Sequence, residues 1–387
     1  MLRWTWYTRC LVLPRRAVLG AELPDDREAF AGDGMRIASV AETGMATAAG
    51  LVGGDLVISI SGRSVRDLCE LSAALRHAGA DATTELVYLR GTDRHVSTVD
   101  TVSMPERPGE RYGELAVGGA RLRIIEVAPT RGLVLVIQGI ACESVDHSLA
   151  PESPLHALVR GWAEVGYGSI RFDKRGVGDS EGGPCRDTDF ETELGDVRAM
   201  LEYAVGRARA ERVPLVLFGH SVGGMMAPLV AANVPDVRGI VVYGAPVMPW
   251  IECLIDSVRR QLEDRGASAQ EIVEATRSMQ RLTETGELNG RAASYHAQLA
   301  RLELEAAWRA IDVPVLVVRG EYDWVVDARD QARIAELAGG VTTVLDLPHL
   351  DHLLGRHVDH AASVRDYGDG ATDDSVAIQI TTWLDSI

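Results

Sequence analysis

Cysteine is scarce in this 387-residue chain and falls into no pattern. Cys10, Cys69, Cys142, Cys185 and Cys253 are odd in number and include no CxxC pair, so neither a disulfide framework nor a zinc site is expected. That usage fits a reducing compartment, and the expectation is a cytoplasmic protein. Long apolar runs are missing too: no window approaches the roughly 18 uncharged apolar residues of a membrane-spanning helix. Near the start, Arg3, Thr5, Thr8 and Arg9 interrupt what would have to be the apolar stretch of a signal peptide. Positive charge is in deficit, with 39 Lys and Arg against 56 Asp and Glu, a net charge of −17. No nucleic acid is therefore expected as a partner. Lysine occurs once, at Lys174, a bias of the kind a GC-rich genome imposes.

What is present is an ordinary globular composition, 46% hydrophobic and 25% charged, on a chain long enough for two or three domains. Through residue 105, short strand-like runs (RAVLGAEL, MRIASVAE, GDLVISISG, TELVYLR) are bounded by turn residues, and LRWTWYT alternates with Leu2, Trp4 and Trp6 on one side. One helix is expected over VRDLCELSAALRHAG, with Leu68, Leu71 and Leu75 along one stripe. The stretch ATAAGLVGGDLVISISGRSV, with Ala49-Gly50-Leu51 and Gly54-Asp55 ahead of an apolar strand, resembles the PDZ family. Upstream, Val18-Leu19-Gly20-Ala21 is similar to the carboxylate-binding loop of bacterial members. The resemblance covers residues 15–103 and implies a groove between a strand at 18–23 and a helix at 65–77, able to take a peptide as an added strand. Glu22 and Ala21 make that loop a poor carboxylate pocket, so a packing role stands beside the peptide-binding one.

Pro105 and Pro108 mark an expected linker, after which apolar runs alternate with helical stretches: LVLVIQG, GSIRFD, VPLVLFG, GIVVYG, VPVLVVRG and VTTVLDL. Such alternation implies a doubly wound α/β domain with a mostly parallel sheet. Within it, Gly219-His220-Ser221-Val222-Gly223 fits G-x-S-x-G between an expected strand and an expected helix. Small residues at 219 and 223 let the two elements approach through a strained turn that presents the hydroxyl at the carboxyl edge of the sheet. The helix N-terminus then offers the Val222 N–H to a developing oxyanion.

A nucleophilic serine needs a base, and the base an orienting acid. In the order Ser…Asp…His, VPVLVVRG is followed by Glu321-Tyr322-Asp323, and VTTVLDL by Pro348-His349-Leu350-Asp351-His352. In these residues the chain resembles the α/β-hydrolase superfamily, over about residues 110–387. The resemblance implies Asp323, in G-x-x-D from Gly320, as the acid and His352 as the base. Asp327 and His349 are the competing choices, Asp327 reading otherwise as a helix cap. It also implies a second oxyanion amide after LVLVIQG, at Ile140 or else Ala141, where relatives often carry His-Gly and this chain has Gln138-Gly139. RFDKRGVGDSEG resembles the superfamily's DxRGxGxS turn, with Asp173 and Arg175 expected to hold it. A helical insertion over about 247–308, with a capping box from Ser268 to Glu271, resembles its cap. Trp250, Met279, Tyr295, His296 and Trp308 are candidates to line the acyl pocket, against the simpler reading that they pack a core. His357 and His360 lack further ligand spacing for a metal.

The expectation is a PDZ-like domain at 1–105 and an α/β-hydrolase domain at 106–387. It acts as a serine hydrolase on a small ester or thioester, free or carrier-bound, through an acyl-enzyme, with no cofactor, metal or membrane involved. The same residues serve an acyltransferase or an acyloxy-eliminating enzyme where the cap excludes water. A peptidase is the second alternative, and a non-enzymatic binder fits least with Ser, Asp and His intact and in order.

Overall fold

The computed structural model describes residues 13–24, 29–30, 32–149 and 153–387. The strand expected at LRWTWYT, and Cys10, lie outside the described residues. By internal contacts the chain divides into two compact units. The first runs through Arg107 and takes in Tyr112–Arg123 and Asp173–Pro184, while the second comprises Pro108–Arg111, Ile124–Phe172 and Cys185–Ile387.

In the first unit, antiparallel strands lie in the order Met35–Arg36, Leu56–Ile60, Thr83–Arg90, Asp93–Asp100, with Arg63–Ser64 folded back on the second. A separate pair joins Ala21–Glu22 to Ser39–Val40. The helix Leu68–Ala78 starts later than the apolar pattern suggests, because the Asp67 carboxylate accepts the Glu70 N–H at 2.7 Å and caps it there. The core between helix and sheet is Met35, Ile37, Val57, Ile60, Ala74 and Leu86.

A buried carboxylate organises the rest of this unit. Asp179 and Arg123 have fully buried side chains, with Arg123 Nε 3.1 Å from Asp179 Oδ2. The same carboxylate receives the Arg15 guanidinium at 2.5 Å and the Arg16 backbone N–H at 2.9 Å. Arg123 also donates to the carbonyls of Gly113 and Leu13. The turn at 171–182 was expected to be held by Asp173 and Arg175. Asp173 accepts the Asp179 N–H at 3.4 Å within the turn and Arg175 donates to the carbonyl of Val117 at 3.0 Å, while the gathering of three arginines falls to Asp179.

Eight strands form the largest sheet, β1 (Glu110–Val117), β2 (Ala120–Val127), β3 (Gly132–Ile137), β4 (Tyr167–Phe172), β5 (Leu215–His220), β6 (Val237–Tyr243), β7 (Val315–Gly320) and β8 (Thr342–Leu347). Their order is β8-β7-β6-β5-β3-β4-β2-β1. Strands β3 to β8 pair in parallel and β2 runs antiparallel to β4. Strands β3 and β4 are buried along their whole length, as strands covered on both faces must be. The chain leaves β3 for β4 on one side and later adds β5 on the other, so the carboxyl ends of β3 and β5 flank the point where the winding reverses. The segment read as a linker gives way to β1 at Glu110.

One expectation is overturned. Cys142 and Cys185 form a disulfide, their Cα atoms 5.9 Å apart. The compartment argument built on the absence of such a bond loses its basis. Cys253 is a free thiol, and burial pushes it up to about 12.

Removing the Asp179 carboxylate leaves buried guanidinium groups without their counter-charge. Asp179→Ala is expected to cost about 3–5 kcal/mol of stability. Urea unfolding checks this, and a loss below about 1 kcal/mol would contradict the burial argument.

Candidate active site

The turn between β5 and the helix α1 (Val222–Ala231) is built on backbone contact. A Cβ added at Gly219 would fall 2.6 Å from the Gly223 carbonyl oxygen, and one at Gly223 only 2.1 Å from that of Ile137. Neither position admits a side chain, which is the physical content of the two motif glycines. Ser221, between them, sits at φ 54° and ψ −121°, a region that costs a non-glycine residue of order 1–3 kcal/mol. Its own N–H is held by the Tyr243 carbonyl at 2.9 Å, and its side chain makes no capping bond to the helix. Val222, the first helical residue, is fully buried.

The loop leaving β3 lies against this turn. A Cβ on Gly139 would come within 3.2 Å of both Ser221 Cβ and His220 Nδ1. Gln138 braces that loop by donating to the Phe172 carbonyl. Ile140 follows, with its carbonyl accepting from Arg291 Nε at 2.9 Å.

Asp323, at the end of β7, is buried beside His352, with Oδ2 3.0 Å from His352 Nδ1. Its Oδ1 accepts the Val325 and Val326 N–H groups, each at 3.0 Å, and Gln331 Nε2 lies 3.3 Å from Oδ2. Burial alone would push this carboxyl up; the His352 imidazole and the two backbone amides outweigh it and hold Asp323 below its ordinary value. The His352 ring lies against Gly244, where a Cβ would be 2.7 Å from Cε1. The loop bearing His352 is closed by Asp351, which accepts the N–H groups of Leu353 and Gly355 at 2.8 Å and meets His357 Nε2 at 2.9 Å.

Asp323 and His352 are thus brought together, while Asp327 and His349 are not part of the pair. Asp327 caps the helix α2 (Ala328–Leu337), accepting the Arg329 N–H at 2.7 Å. His349 Nδ1 meets the Tyr322 hydroxyl at 2.8 Å. No hydrogen bond joins the Ser221 hydroxyl to His352 among the described residues. The tie between the two sides is His220, whose Nε2 lies 2.7 Å from the His352 carbonyl oxygen.

The insertion after β6 holds Trp250–Asp264, Ala269–Thr285, the strand pair Glu287–Leu288 and Arg291–Ala292, and the helices Ala293–Leu299 and Leu304–Arg309. Ser268 and Glu271 form the expected capping box, at 2.7 and 3.3 Å. Trp250, Tyr295, His296 and Trp308 are buried in packing, Trp250 Nε1 donating to His296 Nδ1 at 3.0 Å, and Met279 is half-buried. Residues missed from the sequence include His220, Tyr243, Gln331 and Arg291. Of these, His220 alone carried a local signal, by lying inside the G-x-S-x-G motif. Among the described residues, no helix is long and apolar enough to cross a membrane, and no cluster of His, Cys, Asp or Glu could hold a metal ion.

A family model described as serine aminopeptidase, S33, matches residues 129–356, and one described as PDZ domain matches residues 36–90. The second match leaves the loop at Val18–Ala21 outside its span. No curated protein matches the sequence. Among solved structures, a soluble variant of monoglyceride lipase from Saccharomyces cerevisiae in complex with a substrate analog is 16% identical, covering 73% of this chain and 96% of its own, with a TM-score of 0.51. DcsB in complex with its substrate analogue is 17% identical over 72% of this chain and 98% of its own, with a TM-score of 0.50. At these identities the likeness shows the fold. Since the first family model spans more than half of the chain, this protein belongs to the S33 serine aminopeptidase family of α/β-hydrolases, and it carries an N-terminal PDZ domain.

Proposed function

We propose that this α/β-hydrolase cleaves an ester or thioester of a small organic substrate, with Ser221 as nucleophile, His352 as general base and Asp323 as its orienting acid. The observation that carries the reading is a buried, doubly bonded Asp323–His352 pair next to a serine held in a strained turn. Three distant segments meet there at the cost of backbone strain, which persists only where surrounding structure over-determines it. His352 takes the Ser221 proton as the hydroxyl adds to the acyl carbonyl. The Val222 N–H and the Ile140 N–H stabilise the oxyanion, the protonated imidazole returns its proton to the leaving group, and water then releases the acyl group. Catalytic hydrogen bonds in such sites are often long or poorly aligned until substrate binds.

A fluorophosphonate probe should modify Ser221 stoichiometrically, and Ser221→Ala should abolish both labelling and turnover. Peptide mapping that finds the label elsewhere would sink the assignment. Turnover of p-nitrophenyl esters, acyl thioesters and aminoacyl amides by the same preparation separates esterase, thioesterase and peptidase activity.

Asp323→Asn should lower kcat by roughly 10³–10⁴-fold, because the imidazolium loses its counter-charge. Asp327→Asn should leave kcat nearly unchanged and cost less than about 1 kcal/mol of stability through the cap. If Asp327→Asn shows the larger kinetic loss, the acid is wrongly assigned.

The depressed Asp323 carboxyl also sets a pH dependence. Its folded value lies below the ordinary 3.8, so it contributes stability that is complete above that pH and lost as the pH falls through the folded value. Urea midpoints between about pH 3 and 6 should fall for the wild type on the acid side, and more shallowly for Asp323→Asn.

A further inference from the structure

Arg291 is fully buried, comes from the insertion, and does not bind the substrate-facing pair. Its three donor groups go to three places: Nε to the Ile140 carbonyl at 2.9 Å, Nη1 to the Cys185 carbonyl at 2.8 Å, and Nη2 to Glu193 Oε2 at 2.5 Å. The guanidinium lies over the Tyr295 ring, 4.5 Å from its centroid, within cation–π reach. Glu193 is itself buried and is approached by the Tyr295 hydroxyl at 3.4 Å. Two of the three Arg291 acceptors flank the Cys142–Cys185 disulfide, and Cys142 Sγ lies 3.7 Å from the Gly290 carbonyl oxygen. The short loop that offers the Ile140 amide is therefore pinned twice, by a guanidinium at Ile140 and by a covalent bond two residues later.

We infer that Arg291 and the Cys142–Cys185 disulfide together position the Ile140 amide as oxyanion donor, so that reducing the disulfide slows turnover. The inference rests on the reading of Ile140 given above. Fixing the Ile140 carbonyl leaves only the backbone torsions of that residue between it and its own N–H, and misplacing a catalytic donor by about 1 Å costs on the order of 10²-fold. Arg291 acts here as a positioning residue. A dithiol reductant attacks the half-buried Cys142 sulfur as thiolate and breaks the S–S bond. Cys142 and Cys185 then become thiols, and the reductant leaves as its own cyclic disulfide. Because the oxyanion contact is made in the transition state, kcat should fall and KM should not.

The test compares full-length enzyme, oxidised and after dithiothreitol, with Cys142→Ser, Arg291→Lys and Ser221→Ala, using p-nitrophenyl butyrate as the probe and thermal melts alongside. Expected is a drop in kcat of about tenfold on reduction, restored by reoxidation, with KM within about twofold. Cys142→Ser should show the same drop without responding to reductant. Arg291→Lys keeps the charge opposite Glu193, but its compact ammonium cannot span acceptors spread around a planar guanidinium, and it should lower kcat similarly. Reduction of that variant should add less than its effect on the wild type, because both changes act on one loop. Equal kcat in oxidised and reduced wild type overturns the inference, as does activity lost only in step with the folded fraction. Activity that survives Ser221→Ala overturns the triad reading and this inference together. Activity that needs Ser221 yet ignores both reduction and Arg291→Lys overturns the inference alone.

Discussion

A close backbone approach in the second unit, between the start of α1 and the end of β3, sets the geometry around Ser221. With no side chain at Gly223, the helix begins directly against the Ile137 carbonyl, and Gly219 gives the same freedom on the strand side. That contact leaves the connecting residue no relaxed conformation, so Ser221 is driven into positive φ and its side chain makes no capping bond to the helix it precedes. It also brings the loop after β3 onto the turn, which is why Gly139 has so little room. Enlarging either glycine would separate β3, β5 and α1 together, rather than disturb one side chain.

Around this centre, loops are held by buried carboxylates rather than by loop packing alone. Asp351 closes the loop that carries His352, and Tyr243 donates to the Asp351 carbonyl from beneath it. Asp330 accepts the N–H groups of Val247 and Met248 at 2.8 and 3.0 Å where the insertion begins, and burial raises its carboxyl in return. Asp179 does comparable work in the other unit with three arginines. An acidic chain poor in lysine thus uses aspartate as an interior acceptor of N–H groups, where each lone pair answers an otherwise unpaired donor.

Much of this was legible in the residues because the signals were local. The turn at Ser221 announces itself through two glycines, a serine and the apolar strand before them, and Asp323 and His352 follow the last two strand patterns. The parallel strands read clearly because they are apolar on both faces. The strand β2 did not, since Arg123 and Glu126 interrupt it; both are buried, and each is tolerated through distant partners, Asp179 for the first and Tyr203 and Arg207 for the second. Asp93–Asp100 was hidden by its polarity, five of its eight residues being exposed. The disulfide joins cysteines 43 residues apart with no motif around either, and Arg291 acquires its partners only when the insertion folds back. Partners set by long-range packing leave no spacing to read.

The crowding of donors on Asp323 has a consequence for its neighbour. Two backbone amides and the Gln331 side chain already point at this carboxylate, and its depressed pKa keeps it an acceptor only. The imidazole beside it must then present a hydrogen at Nδ1, and the neutral ring carries its lone pair on Nε2. The contacts made by the loop after β7 thus select the tautomer of His352.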